Sequence, residues 1–298
     1  MKLMVPSWYP AFHCKAAACR NSCCVGWEID IDEDSAARYE RLPGAVGERL
    51  RRGIRRTEEG ASFILDERER CPMLEPDGLC ALILACGEDA LCDICREHPR
   101  FYHEYADRTE GGVGLCCEEA ARLLLAQTEP LRLIATEDDG AEETPDPADA
   151  ALLRLRDALL RDAACDAPLS KRLSMLLRRI GLDDEPEPPV SFWLSLERLD
   201  DRWTTLLTRL NTELPDAATL AAQENDPRFT RILEYLLYRH VPDAPDTGDP
   251  AGGVLLCVRS LRLLRRLCAL PDADMADTVR LWSAEIEYSE ENLCALRA

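Results

Sequence analysis

Eleven thiols crowd the stretch from Cys14 to Cys117, out of fifteen cysteines in the whole chain. They form three groups: Cys14, Cys19, Cys23 and Cys24; then Cys71, Cys80, Cys86, Cys92 and Cys95; then Cys116 and Cys117. Thiolate is a soft ligand, and four of them around one centre suit zinc or an iron–sulfur cluster. The amino terminus carries no apolar run long enough for a secretory signal, so a cytoplasmic location is expected. In that reducing compartment an odd number of cysteines points to metal ligation ahead of disulfides. Cys165, Cys257, Cys268 and Cys294 are scattered singly and read as buried hydrophobes.

Spacing alone leaves the metal open. Paired zinc ribbons need two CxxC knuckles, and only Cys92-Asp93-Ile94-Cys95 has that form. A CxxxCxxC run begins at Cys19 and Cys23 but meets Gly26 where its third thiol should stand. A thioredoxin-like reading of Cys92 and Cys95 lacks a βαβ context. There are more thiols than one cluster binds, so some must pack as core residues. Cys19, Cys23, Cys71 and Cys95 are the first ligands to expect and Cys14, Cys24, Cys80 and Cys117 the next, which leaves Cys86, Cys92 and Cys116 as packing residues. His98 precedes Pro99, which restricts its backbone to an extended form, so ligation by His98 is not favoured, and still less by His13, His103 or His240.

The elements that must position these groups are mainly helical. The expected fold class is mainly α: a Cys-rich metal-cluster lobe of short helices and loops over 1–135, an acidic linker over 136–149, and an all-α helical domain over 150–298. In the first lobe the pattern predicts helices near Ser35 to Leu42 and Ala45 to Arg56, with a turn at Pro76-Asp77-Gly78. The acidic stretch from Thr136 to Pro147 has little apolar surface to bury and reads as solvated. Beyond it, Phe229, Ile232, Leu233, Leu236 and Leu237 mark one buried helical stripe, and Trp193, Leu196, Leu199, Trp203, Leu206 and Leu210 another. Leu152 to Leu160, Leu173 to Ile180 and Val254 to Leu267 predict three more, with breaks at Glu185 to Pro189 and Pro242 to Gly248.

Charge narrows the partners. Fifty-six acidic against 36 basic side chains leave a formal net charge of −20, which repels phosphate backbones and favours basic protein segments. Nucleic acid is not an expected ligand. No stretch approaches the roughly 20 apolar residues of a membrane helix.

In order along the chain, Phe12-His13-Cys14, Cys19, Cys23-Cys24-Val25-Gly26-Trp27-Glu28-Ile29-Asp30-Ile31-Asp32, Cys71-Pro72-Met73-Leu74, Asp77-Gly78-Leu79-Cys80, Gly87-Glu88, Cys95-Arg96-Glu97-His98-Pro99-Arg100 and Cys116 to Leu123 resemble the flagellin lysine-N-methylase family of bacterial proteins. Arg280-Leu281-Trp282-Ser283-Ala284-Glu285-Ile286-Glu287-Tyr288-Ser289-Glu290-Glu291-Asn292-Leu293 looks like that family's last helix. The resemblance implies a [4Fe–4S] cluster on these cysteines, S-adenosylmethionine as methyl donor and flagellin, or another lysine-bearing protein, as substrate. Where the family has Ser-Cys-Pro-Glu, this chain has Cys116-Cys117-Glu118-Glu119, so Cys117 matches the family cysteine and Cys116 is additional.

Methylating a lysine requires its neutral amine, yet the free side chain has a pKa of about 10.4. Desolvation lowers that value, and a nearby carboxylate or tyrosinate can take the proton. Glu285, Glu287 and Tyr288 are the catalytic candidates, since they fall in the matching carboxy-terminal segment. The competing reading is that Glu285 and Glu287 cap or solvate a terminal helix. No GxGxG loop follows an apolar strand, so the usual nucleotide cradle is absent and S-adenosylmethionine must bind elsewhere. The rival to an enzyme is a non-catalytic module in which zinc or iron only staples the first lobe.

Overall fold

The computed structural model describes residues 2–58, 60–138, 140, 144–242 and 250–298. The chain forms two compact units. One comprises residues 1–12 and 101–298, and the other is inserted within it as residues 13–100. This differs from the division expected at residues 135 to 149. The reason is strand pairing: β1 (Lys2–Pro6) belongs to a sheet completed only after the cysteine-rich insertion.

In the larger unit β1 runs parallel to β6 (Arg108–Val113), with Met4 opposite Glu110, and antiparallel to β7 (Leu133–Asp138), with Val5 opposite Ile134. The outer strand β5 (Arg100–Glu104) completes the order β5-β6-β1-β7. Thr136 to Asp138 are therefore strand, held by backbone hydrogen bonds to β1, and not linker. Of the rest of the expected linker, residues 139 and 141–143 lie outside the described residues, as do residues 243–248 of the second expected break.

Helices make up the rest of this unit, and its fold is mainly α. After α5 (Glu118–Leu125) comes α6 (Pro147–Ala163), started by the Asp146 carboxylate, which accepts the Ala148 N–H at 2.7 Å. Its buried stripe of Leu153, Arg156, Leu159 and Ala163 includes a charge because Glu110 on β6 is there to meet it. The Arg156 guanidinium binds Glu110 through both nitrogen branches, and neither side chain is more than 2% exposed. Next come α7 (Leu169–Arg179), α8 (Val190–Ser195), α9 (Asp201–Thr212) and α10 (Ala217–Ala222). The single helix expected from Trp193 to Leu210 is thus two. Asp200 accepts the Arg202 N–H and starts α9 afresh, while the loop before it is pinned from another helix, as described below.

Helix α11 (Pro227–His240) is the central element, with every residue from Phe229 to His240 buried. Such a helix must pair the charges it carries. It packs against α12 (Pro250–Cys268), and α13 (Met275–Ile286) and α14 (Glu290–Arg297) close the unit. Trp193, Trp203, Phe229, Leu236, Leu264 and Trp282 are among its fully or nearly fully buried core residues.

The inserted unit has short elements. Helix α1 (Glu33–Arg41) ends ahead of Pro43, and α2 (Gly44–Gly53) runs directly into β3 (Ile54–Arg56), so the helix expected to reach Arg56 stops three residues earlier. Strand β3 pairs antiparallel with β4 (Ala61–Phe63), which pairs in turn with β2 (Asp30–Ile31). These strands modify the expectation of helices and loops alone. Helix α3 (Ala81–Cys86) stops at Gly87, whose φ of +83° is a left-handed conformation that favours glycine, and α4 (Asp93–Glu97) follows. The core here is small: Ile29, Ile31, Tyr39, Leu50, Phe63, Met73 and Leu82, with the thiols of Cys71 and Cys92. Among the described residues, no helix is long and apolar enough to cross a membrane.

Candidate functional site: a thiol group and a buried carboxylate network

The inserted unit brings several of its thiols together. Cys92 precedes α4 and Cys95 lies within it, so one short helix presents both sulfur atoms to the same side. The Cys95 thiol hydrogen-bonds Cys92. That bond is the main reason the Cys92 thiol is lowered to about 7 despite its burial, and the Cys95 backbone N–H and the Tyr39 hydroxyl act in the same direction. Cys95 is pushed up, first by the same bond, then by burial, then by the charges of Cys92, Cys24 and Cys71. Cys71 is raised to about 11 by burial, with smaller contributions from Cys80 and Cys92. Cys24 is linked in turn to Cys23 by a thiol hydrogen bond.

Local structure holds this group in place. The Asp32 carboxylate caps two helices at once: one oxygen accepts the Ser35 N–H of α1 at 2.8 Å and the other the Asp93 N–H of α4 at 3.0 Å. Cys71 donates its backbone N–H to Cys24 O at 2.9 Å, and Trp27 donates its indole N–H to Cys23 O at 2.7 Å while stacking on His98, 5.1 Å between ring centres. His98 is thus engaged with an aromatic ring.

Of the first four expected ligands, Cys71 and Cys95 enter the thiol group, and Cys23 joins it only through Cys24. Cys19 is half-buried after a short helical turn, and Cys14 accepts the Ala16 N–H at 3.4 Å. Cys80 is a neighbour of Cys71, whereas Cys117 is the N-cap of α5 in the other unit. Sequence reasoning undervalued Cys92. The signal was present, since Cys92 and Cys95 form the one CxxC in the chain. Among the described residues, no three Cys, His, Asp or Glu side chains stand in a ready metal-holding arrangement. The donor set of Cys24, Cys71, Cys92 and Cys95 nevertheless has the all-sulfur chemistry that zinc and iron–sulfur clusters take.

In the larger unit, Glu287 is the centre of a buried polar network at the end of α13. Its side chain is fully buried. Its oxygens receive the Tyr235 hydroxyl at 3.0 Å, the Ser283 hydroxyl, His240 Nε2 at 2.8 Å and Arg239 Nη1 at 3.2 Å. Burial alone would raise this carboxyl. Arg239 and the His240 and Ser283 hydrogen bonds outweigh it, and the group is held below the usual carboxylate range.

The two other candidates differ from it. Glu285 accepts the backbone N–H groups of Leu199 and Asp200 at 2.8 and 2.7 Å, which pins the loop between α8 and α9. It thus neither caps nor solvates the terminal helix, being buried against a loop about 85 residues earlier in the chain. Tyr288 is 41% exposed, the most accessible side chain of the three. Its hydroxyl bonds Cys116 Sγ, and its pKa is driven well above the ordinary value by burial and by the Cys116 charge, against the pull of Arg239. Tyr288 therefore keeps its proton and is not a tyrosinate. Tyr235, Arg239 and Ser283 were absent from the sequence-based set because a lone Tyr, Arg or Ser on a helical stripe carries no signal of its partner.

Comparison with known proteins gives three relatives, all from Salmonella. The chain is 25% identical over 141 residues to proteins named Lysine-N-methylase from Salmonella typhimurium and Salmonella choleraesuis, covering 43% of this chain and 33% of each relative. The same identity and span relate it to the Flagellar biosynthetic protein FliU of Salmonella muenchen, of which 79% is covered. This chain resembles the lysine-N-methylases. It spans about a third of the length of the two curated Lysine-N-methylases it matches. No family model matches the chain, and no solved structure matches it.

Proposed function

We propose that this chain is a protein-lysine N-methyltransferase that uses S-adenosylmethionine and acts on flagellin lysines. The observation that carries the reading is the likeness to two Salmonella Lysine-N-methylases and a flagellar biosynthetic protein over 141 residues. The net charge of −20 supports it, because it attracts lysine-bearing segments to the protein.

In the transfer, the lone pair of a neutral lysine amine attacks the donor's methyl carbon. The N–C bond forms as the C–S bond breaks, the sulfur leaves as a neutral thioether with the electron pair, and the methylated amine sheds a proton. Tyr288 is the residue of this chain assigned to the amine. Its own proton is directed to Cys116, so its oxygen has lone pairs with which to accept an N–H and orient the nucleophile. Glu287 does not touch the substrate, since its oxygens are enclosed by Tyr235, His240, Ser283 and Arg239. It fixes the polar groups behind Tyr288. The proton of the incoming lysine leaves to water as the side chain is desolvated.

Cys24, Cys71, Cys92 and Cys95 would hold a [4Fe–4S] cluster. Bound there, with one thiolate on each iron, the cluster would tie the small core together. Zinc on the same thiolates would supply the same tie.

The test is direct. The full chain, loaded anaerobically with iron and sulfide, is incubated with the donor and purified flagellin, and tryptic peptides are analysed by mass spectrometry. Methyl mass increments on lysines are expected. Unmodified flagellin from an iron-loaded sample, in an assay where a Salmonella Lysine-N-methylase succeeds, would refute the proposal.

A further inference from the structure

Tyr288 is held by more than its bond to Cys116. The guanidinium carbon of Arg239 lies over two aromatic rings, 4.6 Å from the centre of Phe101 and 5.2 Å from that of Tyr288. Its side chain is nine-tenths buried. Its Nη1 donates to the Tyr235 hydroxyl at 2.8 Å and meets Glu287 Oε2 at 3.2 Å. The planar cation thus offers its π surface to the rings and its N–H edge to the oxygens, a combination an ammonium group does not have.

The Phe101 side of this stack is itself fixed from the sheet. A Cβ added at Gly112 on β6 would stand 2.3 Å from Phe101 Cζ, so the ring occupies space that only a glycine leaves. Tyr235 and Tyr238 border the same ring at 6.2 and 6.1 Å between centres. Position passes in sequence from the strand to Phe101, to Arg239, and finally to the half-exposed ring of Tyr288.

We propose that Arg239 is a positioning residue for methyl transfer, holding the Tyr288 ring by cation–π stacking so that its hydroxyl oxygen meets the substrate amine at a fixed angle. The inference rests on the methyltransferase reading. It goes further by assigning a role to a buried arginine that touches neither substrate nor donor. Arg239→Lys separates the two things the residue does: it keeps a positive charge beside Glu287 and loses the flat stacking surface.

The experiment uses the full metal-loaded chain with its seven tyrosines replaced by 3-fluorotyrosine, the Tyr288 resonance being assigned from the spectrum of Tyr288→Phe. In Arg239→Lys the Tyr288 fluorine signal should shift and broaden, and nitration of Tyr288 by tetranitromethane, followed by peptide mass spectrometry, should rise. The kcat for flagellin should fall by ~10- to 100-fold with KM near that of the wild type, the signature of a misplaced reacting group. Phe101→Leu removes one ring and leaves every charge in place, so it should move the same readouts in the same direction by less, and it carries the test should Arg239→Lys not fold. An unmoved fluorine signal and an unchanged kcat in a folded variant overturn the proposal while leaving the methyltransferase reading intact. A shifted signal in a protein whose wild type transfers no methyl group overturns the methyltransferase reading and, with it, the catalytic purpose of the positioning.

Discussion

The centre of the larger unit and the inserted unit solve the same problem with different materials. Around α11, Phe229, Ile232, Leu233, Leu236 and Leu237 are buried in a core to which α5, α6 and α12 pack, and the charges that come along are each met by a partner inside the same unit: Arg156 by Glu110, Arg231 by Glu234, Arg239 by Glu287. Between His13 and Arg100 the elements are short, the apolar core is small, and thiols occupy core positions where the other unit has leucine and tryptophan. A protein interior can be stabilised by area removed from water or by bonds to an inorganic centre. The first is complete within the folded chain. The second depends on what the thiols hold.

That contrast is broken most sharply by removing the metal. Treating the metal-loaded chain with a strong chelator under anaerobic, reducing conditions should abolish amide-exchange protection across residues 13–100, since a structural site contributes on the order of 10 kcal/mol to folding. Protection in α11, α12 and α13 should persist. Equal loss in both units would show that the difference between them is not one of metal against apolar core.

The next largest effect lies on the other side. Glu287→Gln leaves Arg239 buried with no carboxylate, and breaking a buried pair in this way costs about 3–5 kcal/mol. Chemical denaturation followed by tryptophan fluorescence would measure it. The sign of its pH dependence follows from the lowered pKa. A carboxyl that ionises more readily when folded adds stability above its ordinary unfolded value, and that contribution disappears as pH falls through the lower folded value. Wild type and Glu287→Gln should therefore converge in stability in acid and diverge towards neutral pH. A gap that stays constant would mean that Glu287 contributes by shape and not by charge.

The sequence made some of this legible and some not. Helical stripes of period 3.6 mark α6, α7, α11 and α12 because each buries one continuous face or is buried all round. The break between α8 and α9 was hidden: Trp193, Leu196, Leu199 and Trp203 keep the helical period through it, and the pinning carboxylate, Glu285, comes from about 85 residues further along the chain. Strand β1 was hidden too, since its partners lie beyond the whole inserted unit and pairing at that distance leaves no local pattern. The cysteine lobe was evident from composition, but its membership was not. Cys92 reaches the thiol group because Asp32 starts α4 from across the unit, a connection no spacing reveals. At the carboxy terminus, Glu287 and Tyr288 could be singled out by resemblance, whereas Arg239 and Tyr235, on the helix that faces them, could not.

A smaller effect tests the sheet's part in the comparison. Gly112→Ala places a methyl where the Phe101 ring lies, and overpacking of this kind costs typically ~1–3 kcal/mol. The loss should appear as a lower thermal midpoint of the larger unit, with residues 13–100 unaffected in exchange experiments. Gly87→Ala, in the inserted unit, meets open space but a left-handed backbone, and should cost about 1 kcal/mol through strain alone.

The last change concerns Asp32, and it shows whether the inserted unit has any organisation of its own before metal binds. Asp32→Ala removes an acceptor from the first turns of both α1 and α4, and a lost cap costs ~1 kcal/mol at each helix. A core this small has little stability in reserve, so the loss should register as faster amide exchange in Asp93 to Glu97 and weaker retention of metal in a chelator titration. Asp32→Asn keeps an oxygen for one of the two helices and should fall between wild type and alanine. If the thiols instead are gathered by the metal alone, with the polypeptide following, both variants will hold metal as the wild type does. The capping geometry would then be a consequence of the site, and the two units would differ in which comes first, fold or ligand, as well as in what fills their cores.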